Sequence, residues 1–335
     1  MFNSMRRLGR LFGAFFVRCR PLFVSSLLLA ALLTPGSAVI SIAQDIEQLP
    51  TLEEMQLPSE DELLKAYEDD KPFDWIVLKE RNAVVVVAEV IPRPDPLEEI
   101  ERRRQRIENS NPRNQAERIK RREELDRLEY LTVTLRDNAF DDFKIAVKHV
   151  EQVILFEDLM LQRADKLIEE GSVGNAYDMI TMVQKTSGFE NWEKIPPRFE
   201  ALLLAEARIR AQEGDAYAAL ALLDELSQRN REHPQLQERY GELLTPMVEM
   251  AVGDQDYGKA RYLIGRLAKY FPQHVKVGEW RGQLQGKADA LLQQGVQLTD
   301  GREFAAAAEK AREAEGIWPS TGNSRTVYTR LVSRH

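Results

Sequence analysis

The chain of 335 residues carries 46 basic and 54 acidic side chains, a formal net charge of −8, with 43% hydrophobic and 30% charged residues. An acidic balance of this kind argues against a nucleic-acid partner, which is bound by neutralising phosphates. The single cysteine, Cys19, leaves everything C-terminal to it without disulfides, thiolate metal ligands or a cysteine nucleophile.

Residues 1–43 hold five arginines (Arg6, Arg7, Arg10, Arg18, Arg20) and no acid, then an uncharged run from Pro21 to Ala43. A basic start, a short apolar heart (Leu27–Leu33), a helix breaker at Pro35-Gly36 and small residues predict a secretory signal cut after Ala38 or Ala43. The rival is an uncleaved anchor, because the 23 residues from Pro21 to Ala43 match the roughly 17–25 that cross a bilayer. In that case this segment is the chain's membrane contact. A lipoprotein reading fails on Arg18, which precedes Cys19. Loss of the leader moves the charge from −8 to −13, and the chain is expected in the periplasm or elsewhere in the cell envelope.

Residues 44–72 are acidic and weakly patterned, and read as a linker with one short helix near Glu60–Tyr67. From Phe73 the pattern turns to strands. Asp74–Lys79 and Ala83–Ile91 are rich in β-branched residues and joined by Glu80-Arg81-Asn82, whose Asn tolerates a left-handed turn. Leu131–Leu135, Phe143–Lys148 and Val150–Leu155 follow. Residues 73–155 are predicted to form a small antiparallel β unit whose strand order resembles the SH3-like barrels at the front of some exported repeat proteins. Its insertion, residues 95–129, opens on Pro96, breaks at Asn109–Pro112 and carries a thin apolar stripe, which suits a helical hairpin arm. The arginines of the arm alternate with glutamates, predicting ion-paired, solvated faces.

Residues 156–335 have helical spacing and a recurring phrase: "EEGSVGNAYDMI", "QEGDAYAALALL", "AVGDQDYGKARYLI" and "LTDGREFAAAAEKA". Each has Gly ending one helix, an aromatic nearby and an early alanine in the next. The alanines Ala176, Ala219, Ala260 and Ala306 are 43, 41 and 46 residues apart. Gly171 and Gly214 suit a left-handed turn, Tyr257 and Phe304 the packing aromatic, and the alanines a close helix approach. Pro234, Pro272 and Pro319 end second helices. One pair cannot bury its own face, so pairs must stack. Pro246, inside Leu236–Ala251, predicts a kink or break. The fold class is therefore α+β, mostly α: a β unit with an inserted hairpin, then a solenoid of about four helix pairs. The phrase resembles the tetratricopeptide repeat (TPR) from Leu159 to Pro319. Its period exceeds the roughly 34 residues of that family, which places the surplus in the segments between pairs. After Pro319, Ser324 can cap a last helix with Val327, Tyr328, Leu331 and Val332 along one stripe, either a cap or a docking surface.

His149, His233, His274 and His335 show no metal-ligand spacing, and no nucleophile elbow, P-loop or dinucleotide fingerprint is present. His149 reads as structural, as do Trp192, Trp280 and Trp318 near helix ends. No enzyme, metal or cofactor is predicted. The stretches "DWIVLKERNAVVVVAEVIPRPDPLEEIERRR", "YLTVTLRDN", "KIAVKHVEQVILFEDLMLQRADKL" and "GIWPSTGNSRTVYTRLVSRH" resemble the N-terminal region of large exported solute-binding proteins of oligopeptide-type ABC transporters. That resemblance implies an accessory region whose partners are transporter subunits or a peptide-binding domain, and it transfers no peptide-binding residue. The alternative is a free-standing envelope scaffold unrelated to transport.

Overall fold

A computed structural model describes residues 49–136 and 138–319. They lie within one compact unit. The leader and the Ser324 helix fall outside the described residues.

β1 (Phe73–Leu78) is buried at every residue, and β3 (Tyr130–Leu135) hides Leu131 and Val133 while exposing Tyr130 and Thr132. A strand buried on both faces belongs inside a covered sheet. β1 accordingly sits between β2 (Val84–Ala88) and β5 (Val150–Ile154) in an antiparallel sheet of order β4-β3-β2-β1-β5, where β4 spans Asn138–Ala146. Arg81 and Asn82 turn β1 into β2 with φ of 61° and 52°. The Ala83 N–H donates to the Glu80 carbonyl at 3.2 Å, the primed-turn geometry whose twist matches the flanking strands. A 3-10 turn, Val147–His149, leads from β4 to β5. β2 and β3 are paired only at Val87–Leu135, because the chain leaves the sheet between them to form the arm, α2 (Pro96–Glu108) and α3 (Gln115–Leu128).

The helices that follow form four consecutive hairpins. They are α4 (Phe156–Glu170) with α5 (Val173–Lys185), α6 (Pro196–Gln212) with α7 (Ala216–Arg229), α8 (Leu236–Gly253) with α9 (Tyr257–Tyr270), and α10 (Val275–Asp300) with α11 (Phe304–Ile317). All four turns close identically. The N–H groups of Ser172, Asp215, Asp256 and Glu303 reach back to the carbonyls of Leu167, Arg210, Ala251 and Leu298 at 2.8–2.9 Å, the six-to-one bond of a Schellman motif. The residue before each is left-handed: Gly171 and Gly214 at φ 83° and 85°, then Gln255 and Arg302 at 59° and 64°. Gly253 and Gly301 therefore do not serve the turns of the last two pairs. Gly253 ends α8 itself, and Gly301 is right-handed.

The packing alanines occupy one register. Ala176, Ala219 and Ala260 have no exposed area, and their N–H groups close the first helical turn on Ser172, Asp215 and Asp256. In the fourth pair the residue that bonds Glu303 in this way is Ala307, which is fully buried, while Ala306 is half-buried. Within the run Ala305–Ala308 composition cannot choose a register; the turn does. Opposite Ala307, a Cβ added to Gly295 of α10 would lie 3.4 Å from its carbonyl oxygen. Ala307→Leu is expected to overpack this crossing and cost about 1–3 kcal/mol, with Ala306→Leu far milder. Equal urea midpoints for the two variants would refute that register.

Three further sequence expectations change. Residues 49–72 are no linker. Leu52 N–H donates to the Asn82 carbonyl and Val84 N–H to that of Pro50, at 2.9 and 2.8 Å. α1 (Glu60–Glu68), capped by Ser59, inserts Leu63 at 0% exposure. Its acids stay outside, so composition hid the few apolar anchors. The surplus repeat length lies mainly in the first helices, which run 15, 17, 18 and 26 residues while the second helices hold at 13 or 14. Only the connection 186–195 is long, and it buries Phe189, Trp192 and Ile195. α8 is continuous through Pro246, so of the expected kink or break the break is absent.

Nor does packing divide at residue 155. One core joins Leu63, Phe73 and Trp75 to Phe156, Leu159, Met179 and Ile180, and a second runs from α6 to α11. α6 serves both, with Leu202 and Ala205 in the first and Leu203 and Ala207 in the second.

Candidate functional site

The repeat turns set the spacing between first helices, and a cleft of about 270 Å³ opens where α6 and α8 pass each other. Its walls are Leu204, Ala207, Arg208 and Ala211 of α6, Leu223 of α7, and Arg239, Glu242, Leu243 and Pro246 of α8. The floor is aliphatic and the rim is charged. Arg239 and Glu242 satisfy one another at 2.7 Å, whereas Arg208 is exposed and has no ion-pair partner among the described residues. Pro246 has no N–H to return to the Glu242 carbonyl four residues back, and the Thr245 hydroxyl donates to the Gly241 carbonyl at 2.6 Å. An apolar floor with one spare cation and a main-chain acceptor suits a side chain or short segment of another polypeptide.

Of the residues singled out from sequence, Gly171, Gly214, Ala176, Ala219 and Ala260 shape the hairpins and none lines the cleft. Tyr257 begins α9 and receives a hydrogen bond from Lys287 of α10, whose ammonium sits 4.9 Å over the ring. Phe304 begins α11, half-buried. His149 stands at the surface with Nδ1 3.1 Å from Glu80. Trp192 and Trp280 are buried and Trp318 is half-buried. Among the described residues no group of His, Cys, Asp and Glu could hold a metal ion, and no helix is long and apolar enough to cross a membrane.

Two polar networks hold this scaffold, and neither stands out in the sequence. In the first, Asp74 of β1 is fully buried. It accepts N–H bonds from Val90 (2.6 Å) and Phe156 (2.7 Å) and a two-pronged bond from Arg93 at 2.7 and 2.8 Å. Arg93 also binds buried Glu157 on α4 and pairs with Glu89. Burial pushes the carboxyls of Asp74 and Glu157 above their ordinary range, against the pull of the Arg93 guanidinium. This cluster clamps the root of the arm and the start of the hairpins onto one strand. In the second network Tyr240 of α8, fully buried, donates to Asp224 of α7, which also binds Arg266 of α9. Burial followed by the Asp224 carboxylate drives the Tyr240 hydroxyl far above its ordinary pKa. Tyr270 stacks on the ring at 5.4 Å. The one local hint was an aspartate inside the apolar run Phe73–Leu78.

No protein-family profile matches the chain, and no curated protein matches it. A solved structure, "MamA AMB-1 P212121", is similar over 53% of this chain and 81% of its own length, at 14% identity and a TM-score of 0.18. A superposition that loose leaves the description of the fold resting on the four hairpins and their repeated turns.

Proposed function

We propose that the protein is an exported, non-enzymatic module for binding other proteins, built as a TPR-like solenoid behind an SH3-like β unit. The observation that carries the reading is the cleft between α6 and α8, formed by first helices of successive hairpins. Four turns with one hydrogen-bond pattern support the solenoid. A meander with β5 returning beside β1 after a 3-10 turn supports the SH3-like comparison. The basic, then apolar, N-terminal sequence supports export.

On the finer level, the resemblance to exported oligopeptide-type solute-binding proteins makes transporter subunits the partners to test first. A photo-crosslinking residue at Leu243, in the cleft, is expected to capture a permease or peptide-binding subunit in intact cells, while the same residue at exposed Tyr217 captures neither. The recovered protein should start at Val39 or Gln44. Equal capture at both positions would sink the cleft reading. Capture of envelope proteins other than transporter subunits would favour the free-standing scaffold, and a leader still attached would argue for an anchor.

A further inference from the structure

The arm is the least buried part of the described chain: within α2 only Pro96 is buried, and within α3 no residue is. Its two helices differ in charge pairing. On α2, Arg102, Arg104 and Arg106 are matched to Glu98, Glu99 and Glu108, as the alternating sequence predicts. On α3, Arg118, Lys120, Arg121, Arg122 and Arg127 have no carboxylate partner among the described residues. Arg121 is instead pinned to α2 by a 2.6 Å bond to the Glu108 carbonyl, which keeps its charge while fixing its position. Arg118, Arg122 and Leu125 fall at i, i+4 and i+7, one side of the helix. Together with Arg104 and Arg121 they line a cleft of about 610 Å³ between the two helices.

We infer that this cleft is a second interaction site, independent of the one between α6 and α8, that takes an acidic polypeptide segment with interspersed apolar residues. Three guanidiniums without a carboxylate partner favour carboxylates, and Leu125 offers an apolar contact between them. A flat anionic bilayer suits the site less well. Glu108, Asp126 and Glu129 share the lining, where they would repel a continuous negative plane but can be avoided by a discrete chain. The same acids weigh against a nucleic-acid backbone.

The test is fluorescence anisotropy of the full chain with a fluorescein-labelled peptide alternating Glu and Leu, alongside a Lys/Leu peptide of equal length. Wild type should bind the Glu/Leu peptide alone, and raising the salt from low to high should weaken binding about tenfold. Arg118→Glu combined with Arg122→Glu should weaken it about tenfold or more, with helicity by circular dichroism unchanged because both side chains are exposed. Leu243→Asp in the other cleft should leave it unaltered. Equal binding by wild type and the double arginine variant would overturn the inference. So would absence of peptide binding, whether or not the protein floats on phosphatidylglycerol vesicles.

Discussion

Replacing Arg93 with Met is expected to destabilise the protein by about 3–5 kcal/mol at neutral pH, because it removes one partner from a buried ionic cluster. Asp74 is fully buried and Glu157 nearly so, and the guanidinium is the cation both bind. Without it two carboxylates share a low-dielectric site, while only the N–H bonds from Val90 and Phe156 remain on Asp74. Urea unfolding followed by circular dichroism measures the loss. The pH dependence carries a definite sign. Burial already raises both carboxyls in the fold, and removal of Arg93 takes away the cation that pulls them down. Between the raised folded pKa and the ordinary carboxylate value, the folded state then binds more protons than the unfolded one. In that window stability rises as pH falls. Arg93→Met should therefore recover part of its loss on mild acidification. A loss under 1 kcal/mol, or a deficit that deepens on mild acidification, would mean the cluster does not hold the arm and α4 to β1.

Tyr240→Ala is expected to cost about 3–5 kcal/mol, the range for deleting a buried aromatic ring. The ring is fully buried among α7, α8 and α9, and it loses its contacts with Tyr270 and Phe271, at 5.4 and 5.7 Å. Tyr240→Phe separates packing from hydrogen bonding. It keeps the ring and leaves Asp224 still paired with Arg266, so it should cost only about 1 kcal/mol. A Phe variant as unstable as the Ala variant would show that the hydroxyl, and not the ring, locks the second hairpin to the third. Two separate unfolding transitions in Tyr240→Ala would place the break between those hairpins, since repeat stability depends on contacts between neighbours.

Strands, helices and the phase of the first three repeats were legible because each rests on local chemistry. Alternating β-branched residues mark β3, and apolar residues three and four apart mark α4. Gly171 and Gly214 mark turns that need a left-handed residue. What local chemistry could not supply were quantities set by neighbours distant in the chain. The register of Ala307 is fixed by the Glu303 turn and by Gly295 on the facing helix. The packing of residues 49–72 depends on Leu63 finding the sheet core. Pro246 sits within an unbroken α8 because surrounding hairpins bury Tyr240, Leu244 and Val248, outweighing the roughly 3 kcal/mol an interior proline costs. The Asp74–Arg93–Glu157 cluster and the cleft between α6 and α8 draw on residues that are far apart in the chain or carried on different hairpins. Burial and charge pairing at such sites come from the assembled layers, which a pattern of nearby residues cannot encode.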